Sequence, residues 1–307
     1  MTTEEGWLKA DDGKKLYTKT WKAEEPAKAR LVFIHGFSDH CNTYNSFFPT
    51  LASKGIEVYS FDQRGWGRSV LKPSEKGDTG PTSQVLADIS CFMRTVIPCR
   101  IPLFMLGHSM GGGETLCYAA EGPADIRKHI RGYLLESPFV DFSPASKPSP
   151  ITVFFGRLAG KILPHHQMVN QLDVKLVSRN PDVQKQMLED PLCHDTGTLE
   201  ALAGLLDRTG HLSTGKVVIG DAAGEGGVTR IWFGHGTKDG ITNPEASKKL
   251  YDSLTAKDKT YKPYEGYFHR LHDEPSPDNL EFMNDVADWI LARSVEPVQV
   301  EASKPKL

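Results

Sequence analysis

The chain predicts an α/β fold: a mostly parallel central sheet with helices on both faces and a helical cap insertion. Three observations predict it. Short apolar runs alternate with helix-length segments over residues 1–141, the rhythm of β-α-β units. After Pro138 that rhythm breaks, and residues 142–226 carry several helical segments but no strong strand run. It resumes at Val228-Thr229-Arg230-Ile231-Trp232-Phe233. The expected organisation is a discontinuous core, residues 1–141 and 227–307, with a cap or lid at 142–226 and a disordered tail over 295–307.

The elements follow in order. An Asp12-Gly13 turn joins two strand-like stretches, GWLKA and KKLYTKTW, as a hairpin. Residues 30–35, RLVFIH, form a buried-strand run that ends in Gly36-Phe37-Ser38-Asp39-His40. A helix over 45–54 is stopped by Gly55, and a strand over 56–61 leads into Asp62-Gln63-Arg64-Gly65. A long helix covers 83–96. Leu103-Phe104-Met105-Leu106 is a buried strand, Gly107-His108-Ser109-Met110-Gly111 is a tight turn, and 114–121 has helix-forming composition stopped by Gly122-Pro123. Another strand spans 132–136. Beyond the insertion come a strand at 228–233, a helix at 244–254, a strand at 260–264 and a last helix at 279–293.

Composition excludes several function classes. The net charge is -3 over 307 residues, which gives no electrostatic reason to expect nucleic acid. Five cysteines are an odd number with no C-x-x-C pair, the pattern of an intracellular protein and not of a disulfide scaffold. MTTEEG lacks a basic region and an apolar region, so no signal peptide is expected, and no apolar run reaches spanning length. The expected location is cytoplasmic, peripheral on a membrane or lipid droplet and not secreted. No H-E-x-x-H or cysteine cluster suggests a metal, and Arg64-Gly65-Trp66-Gly67 lacks the lysine of a phosphate loop.

The chemistry lies at G-x-S-x-G. A serine on a sharp strand-to-helix turn projects its hydroxyl above the sheet, and glycines two before and two after prevent collision. The pentapeptide alone is weak; the strand before it and the helix after it give it meaning. Serine needs a histidine base, and the base needs a carboxylate to hold it. With such an elbow the partners follow in chain order serine, acid, histidine. Asp239 follows the strand at 228–233, whereas Asp221 and Glu225 precede it. His269 lies nearest the end of the following strand, with His272 as the competitor one helical turn on. The oxyanion donors expected are the backbone N–H groups of Met110 and Phe37.

With these residues placed, the chain from Leu31 to about Ala292 resembles the monoacylglycerol lipase branch of the α/β-hydrolases. The likeness rests on Val32-Phe33-Ile34-His35-Gly36 with Asp39-His40, on Phe61-Asp62-Gln63-Arg64-Gly65 and on Gly107-His108-Ser109-Met110-Gly111-Gly112. It also rests on His235-Gly236 before Asp239, and on His269, Leu271, His272 and Glu274. Leu176-Val177-Ser178-Arg179-Asn180-Pro181-Asp182-Val183 with Asp190-Pro191-Leu192 resembles this branch's cap. The resemblance implies an α/β-hydrolase fold, hydrolysis of a monoacylglycerol to glycerol and fatty acid, and no cofactor. It also implies that Asp39 and His272 hold the glycerol end. The acid loop departs from some members in reading Asp239-Gly240-Ile241-Thr242, without a cysteine, and residues 220–227 look like a local insertion.

Within the cap, Ile151, Phe154, Phe155, Leu158 and Ile162 fall on one helix face, with Arg157 and Lys161 elsewhere. That stripe fits three roles: packing on the core, lining an acyl tunnel, or docking on a membrane or droplet surface. The competing functions are a lysophospholipase, an acyltransferase or a peptidase of the same fold, and a lipid-binding protein without catalysis.

Overall fold

A computed structural model describes residues 2–24 and 26–295. The expected tail lies, from residue 296 on, outside the described residues.

The chain opens on an antiparallel hairpin, β1 (Thr3–Lys9) and β2 (Lys15–Trp21), whose turn places Gly13 at φ 89°. β3 (Ala29–Ile34), α1 (Phe47–Ser53), β4 (Ile56–Phe61) and α2 (Thr82–Val96) follow. Next come β5 (Leu103–His108), α3 (Met110–Glu121), the short α4 (Ala124–Arg127) and β6 (Ile130–Glu136). The insertion holds α5 (Pro150–Gly160), β7 (Gln167–Val169), α6 (Val174–Val177), α7 (Pro181–Glu189), β8 (Thr196–Thr198) and α8 (Leu199–Ser213). β9 (Arg230–Gly236), α9 (Pro244–Ser253), β10 (Asp258–Tyr264) and α10 (Asp278–Ala292) complete the core.

Eight strands make one sheet in the order β1-β2-β4-β3-β5-β6-β9-β10. β2 runs antiparallel to β4, and every pairing from β4 to β10 is parallel. Alternation along each central strand feeds two cores. Val32 and Ile34, Met105, Leu135 and Phe233 point to the side covered by α2 and α3. Leu31 and Phe33, Phe104 and Leu106, Leu134 and Trp232 point to the side covered by α1 and α10. Both faces are buried, which is why these strands read as continuous apolar runs.

Three differences from the sequence reading have physical causes. The helix after Ser109 begins at Met110, although glycines at 111, 112 and 113 are poor helix formers, because tertiary packing buries all of residues 110–119. The cap contains a two-stranded antiparallel ladder, β7 with β8, too short at three residues each to show a period. Val217, Ile219 and Ala223, read with the insertion, pack into the α2/α3 side of the core.

Candidate active site

Parallel strands deliver their carboxyl ends to one edge of the sheet, and the crevice above that edge is where such folds bind ligands. β5 delivers Ser109, β9 delivers Asp239 and β10 delivers His269. Ser109 has φ 56° and ψ -118°, a backbone conformation that L-residues rarely adopt. A Cβ at Gly107 would sit 2.2 Å from the Gly111 carbonyl oxygen, and one at Gly111 would sit 2.2 Å from that of Ile34. Only glycine fits either place. Ser109 occupies the position from which a serine normally caps its helix, yet its hydroxyl makes no cap bond. It donates instead to His269 Nε2, 2.8 Å away.

His269 Nδ1 lies 2.8 Å from Asp239 Oδ2. Asp239 Oδ1 accepts from the backbone N–H groups of Ile241 and Thr242, at 2.8 and 2.9 Å. Oδ2 also accepts from Thr242 Oγ1, at 2.7 Å, and lies 3.0 Å from His235 Nε2. Burial pushes the carboxyl up, but His269 and His235 hold it well below the usual carboxylate range, so it is ionised. The structure therefore brings Ser109, His269 and Asp239 into one hydrogen-bonded line, with all three side chains nearly buried. His235 and Thr242 were not singled out as carboxylate partners; the signal was His235-Gly236 just before the acid and Ile241-Thr242 just after it.

Met110 N–H, at the free first turn of α3, and Phe37 N–H, in the loop after β3, have no acceptor among the described residues. Gly36 brings that loop close: a Cβ there would lie 3.1 Å from Ser109 Cβ. His35, given no chemistry from sequence, is a packed histidine. Its Nε2 accepts from Gln63 N–H and its Nδ1 donates to the Gly36 carbonyl.

Above the line is a cavity of about 510 Å³. Its walls are Phe139 from the core with Phe142, Val153, Leu172, Leu176, Leu199, Leu202, Leu205 and Leu206 from the insertion. Asp39 and Arg270 are among its polar lining residues. Asp39 accepts from Tyr44 Oη at 2.6 Å and from Arg270 at 3.3 Å. Burial raises its pKa, but Arg270 brings it down below the ordinary value. Arg270, fully engaged between Asp39 and Asp273, went unnoticed in the sequence although it adjoins the histidine.

Two expectations are corrected. His272 does not face the glycerol end, nor does it compete for the base: it has no exposed surface and no place on the cavity wall. Its Nδ1 is 2.6 Å from Glu136, behind His108. Likewise, Ile151, Phe154, Phe155, Leu158 and Ile162 neither pack on the core nor line the acyl cavity. They are 50–75 % exposed, because α5 turns its opposite face, Thr152, Val153, Gly156 and Arg157, to the cavity.

Three groups of possible metal ligands exist among the described residues: His40/Asp190/Cys193, His108/Glu136/His272 and Asp78/His165/Glu200. In each a histidine already pairs with a carboxylate, and none includes a member of the Ser109 line. Among the described residues no helix is long and apolar enough to cross a membrane.

A family model described as serine aminopeptidase, S33, matches residues 25–276. A Schizosaccharomyces pombe protein provisionally named a monoglyceride lipase is 34 % identical over 281 residues, covering 91 % of this chain and 72 % of that one. Monoglyceride lipase of Mus musculus is 27 % identical, covering 92 % and 88 %. The crystal structure of a soluble variant of Saccharomyces cerevisiae monoglyceride lipase with a substrate analog superposes with a TM-score of 0.84 at 25 % identity, covering 95 % and 97 %. On its motifs, its sheet and these likenesses, the chain belongs to the monoacylglycerol lipase family of α/β-hydrolase serine hydrolases.

Proposed function

We propose that this protein hydrolyses the ester of a monoacylglycerol, releasing glycerol and a fatty acid through an acyl-enzyme. One observation carries the reading: the Ser109-His269-Asp239 line, with two 2.8 Å links, opens into a cavity lined mostly by apolar side chains, with Asp39 and Arg270 among its polar ones. Ser109 Oγ attacks the ester carbonyl as His269 Nε2 takes its proton. Asp239 keeps Nδ1 protonated and stabilises the imidazolium. The Phe37 and Met110 N–H groups receive the oxyanion, each worth roughly 10²–10³ in rate in comparable sites. His269 then protonates the departing glycerol, and water, activated by the same imidazole, releases the acid. The acyl chain lies along Phe139, Leu176 and Leu205, and Asp39 with Arg270 meets the glycerol hydroxyls.

The exposed stripe of α5 supports a further role, contact with a membrane or droplet surface. Ile151, Phe154, Phe155, Leu158 and Ile162 present an apolar face left exposed by the described residues, and α5 is far too short to span a bilayer.

Fatty acid release from mono-, di- and triacylglycerols, lysophospholipids and an aminoacyl anilide tests the reading. Monoacylglycerols are expected to turn over fastest. Preference for the anilide, or no turnover of any ester, contradicts it.

A further inference from the structure

The loop that carries Phe37 is tied to the core at Asp39 and to the cap at Ser38. Ser38, one residue after the donor, sits at φ 54° although it is not glycine. Such a conformation is disfavoured for any residue but glycine and persists only where surroundings impose it. The imposing group is Asp195, in the cap just before β8 and itself at φ 49°. Its backbone N–H donates to Ser38 Oγ at 2.9 Å. Two unusual backbone turns, one from the core and one from the cap, thus bolt each other in place.

A second strut runs alongside. The indole of Trp66 meets the Phe37 ring edge-on at 4.7 Å and stacks on the cap's His194 at 4.9 Å, with ring planes 8° apart. His194 is fixed in that plane, since Nε2 donates to the Gly65 carbonyl at 3.0 Å and Nδ1 accepts from Thr196 N–H at 3.2 Å. The other end of the site has its own cap contact: the Val177 carbonyl accepts from both His269 and Arg270 N–H, at 3.0 and 2.9 Å.

We propose that Ser38, His194 and Asp195 are positioning residues that set the oxyanion donor at Phe37, so that seating of the cap assembles the oxyanion hole. The inference rests on the hydrolase reading above. None of the three touches the reacting atoms; they act through the placement of the Phe37 N–H. A shift of even about 1 Å in such a donor removes much of its effect on rate.

The test compares Ser38→Gly, His194→Ala and the conservative Asp195→Asn with the wild type. Each is assayed for kcat and KM on a soluble short-chain monoacylglycerol, and for inhibition by a trifluoromethyl ketone. That ketone forms a hemiketal with Ser109 whose oxyanion needs the same donors. Ser38→Gly relieves the φ restriction and removes only the bolt, so relief of strain alone would leave it as active as wild type. The expected result is about a tenfold fall in kcat for Ser38→Gly and His194→Ala, KM within twofold, and an equal rise in the ketone inhibition constant. Asp195→Asn, which keeps the backbone N–H that holds Ser38, stays within about threefold. If kcat and ketone affinity hold within twofold in both variants, even with a lowered Tm, the three residues are structural and the proposal fails. Loss of kcat without loss of ketone affinity also overturns it. If the wild type turns over no ester, both this inference and the hydrolase reading fall; wild-type turnover with unaffected variants sinks this one alone.

Discussion

Two apolar helices of nearly equal length, α3 and α5, have opposite fates. In α3 residues 110–119 are all buried, while α5 has no buried residue at all. Composition alone would predict the reverse, since the larger apolar side chains are in α5; their neighbours decide. α3 follows a strand that is buried on both faces, so its start is fixed against β5 and β6 and covered by α8. α5 lies on a cap whose inner surface is already filled by one side of the helix, leaving the more apolar side to whatever lies outside. An apolar stripe reports that a helix needs an apolar partner, and only the topology says whether the protein provides it.

The largest expected effect is at the start of α3. Ser109→Ala should lower monoacylglycerol turnover by about 10³-fold or more, while Phe154→Ser leaves turnover of a water-soluble ester unchanged. Equal effects on the soluble ester would erase the distinction between the helices. Next comes stability, read by urea unfolding. Leu116→Ala, at a residue 1 % exposed, should cost about 2–5 kcal/mol, and Leu158→Ala, at one 50 % exposed, less than about 0.5 kcal/mol. Similar losses would mean that α5 is packed in solution. A smaller effect concerns surfaces. Phe154→Ser with Phe155→Ser should weaken sedimentation with phosphatidylcholine vesicles by about tenfold, from the lost apolar burial of two rings. Unchanged sedimentation would leave the stripe without its proposed partner.

A last effect is a pH dependence confined to the buried side. Burial pulls the His272 pKa down, but Glu136 and Asp273 more than offset it and raise it to about 9. A histidine raised above its unfolded value of about 6.5 contributes stability that is complete below pH 6.5 and is lost as pH rises through 9. Unfolding free energy should fall over that window and flatten in His272→Gln. A wild-type profile as flat as that of the variant would contradict the pairing.

The same contrast explains what could be read in advance. The sheet, the elbow and the order serine, acid, histidine are written locally, in runs that are continuous because both faces of each strand are buried. Asp239 and His269 could be found because each ends a recognisable strand. Arg270 could not, because its partner Asp39 is 231 residues away and the two meet only in the folded state; His235 and Thr242, 4 and 3 residues from the acid, were within local reach. His272 was misplaced for a related reason: spacing put it near the base, but the turn at 271–273 aims it inward to Glu136. The cap's anchoring segment at 190–196 carries no period at all, since its work is done by single bonds to Ser38, His40 and Gly65.

One measurement addresses the chemistry most directly. Wild-type protein is titrated with a fluorophosphonate, the modified residue is located by peptide mass spectrometry, and monoacylglycerol turnover is followed in the same samples. The expected result is a single adduct on Ser109 and activity that falls in proportion to the labelled fraction. An adduct elsewhere, or full turnover with Ser109 completely labelled, would contradict the assignment of Ser109 as the nucleophile.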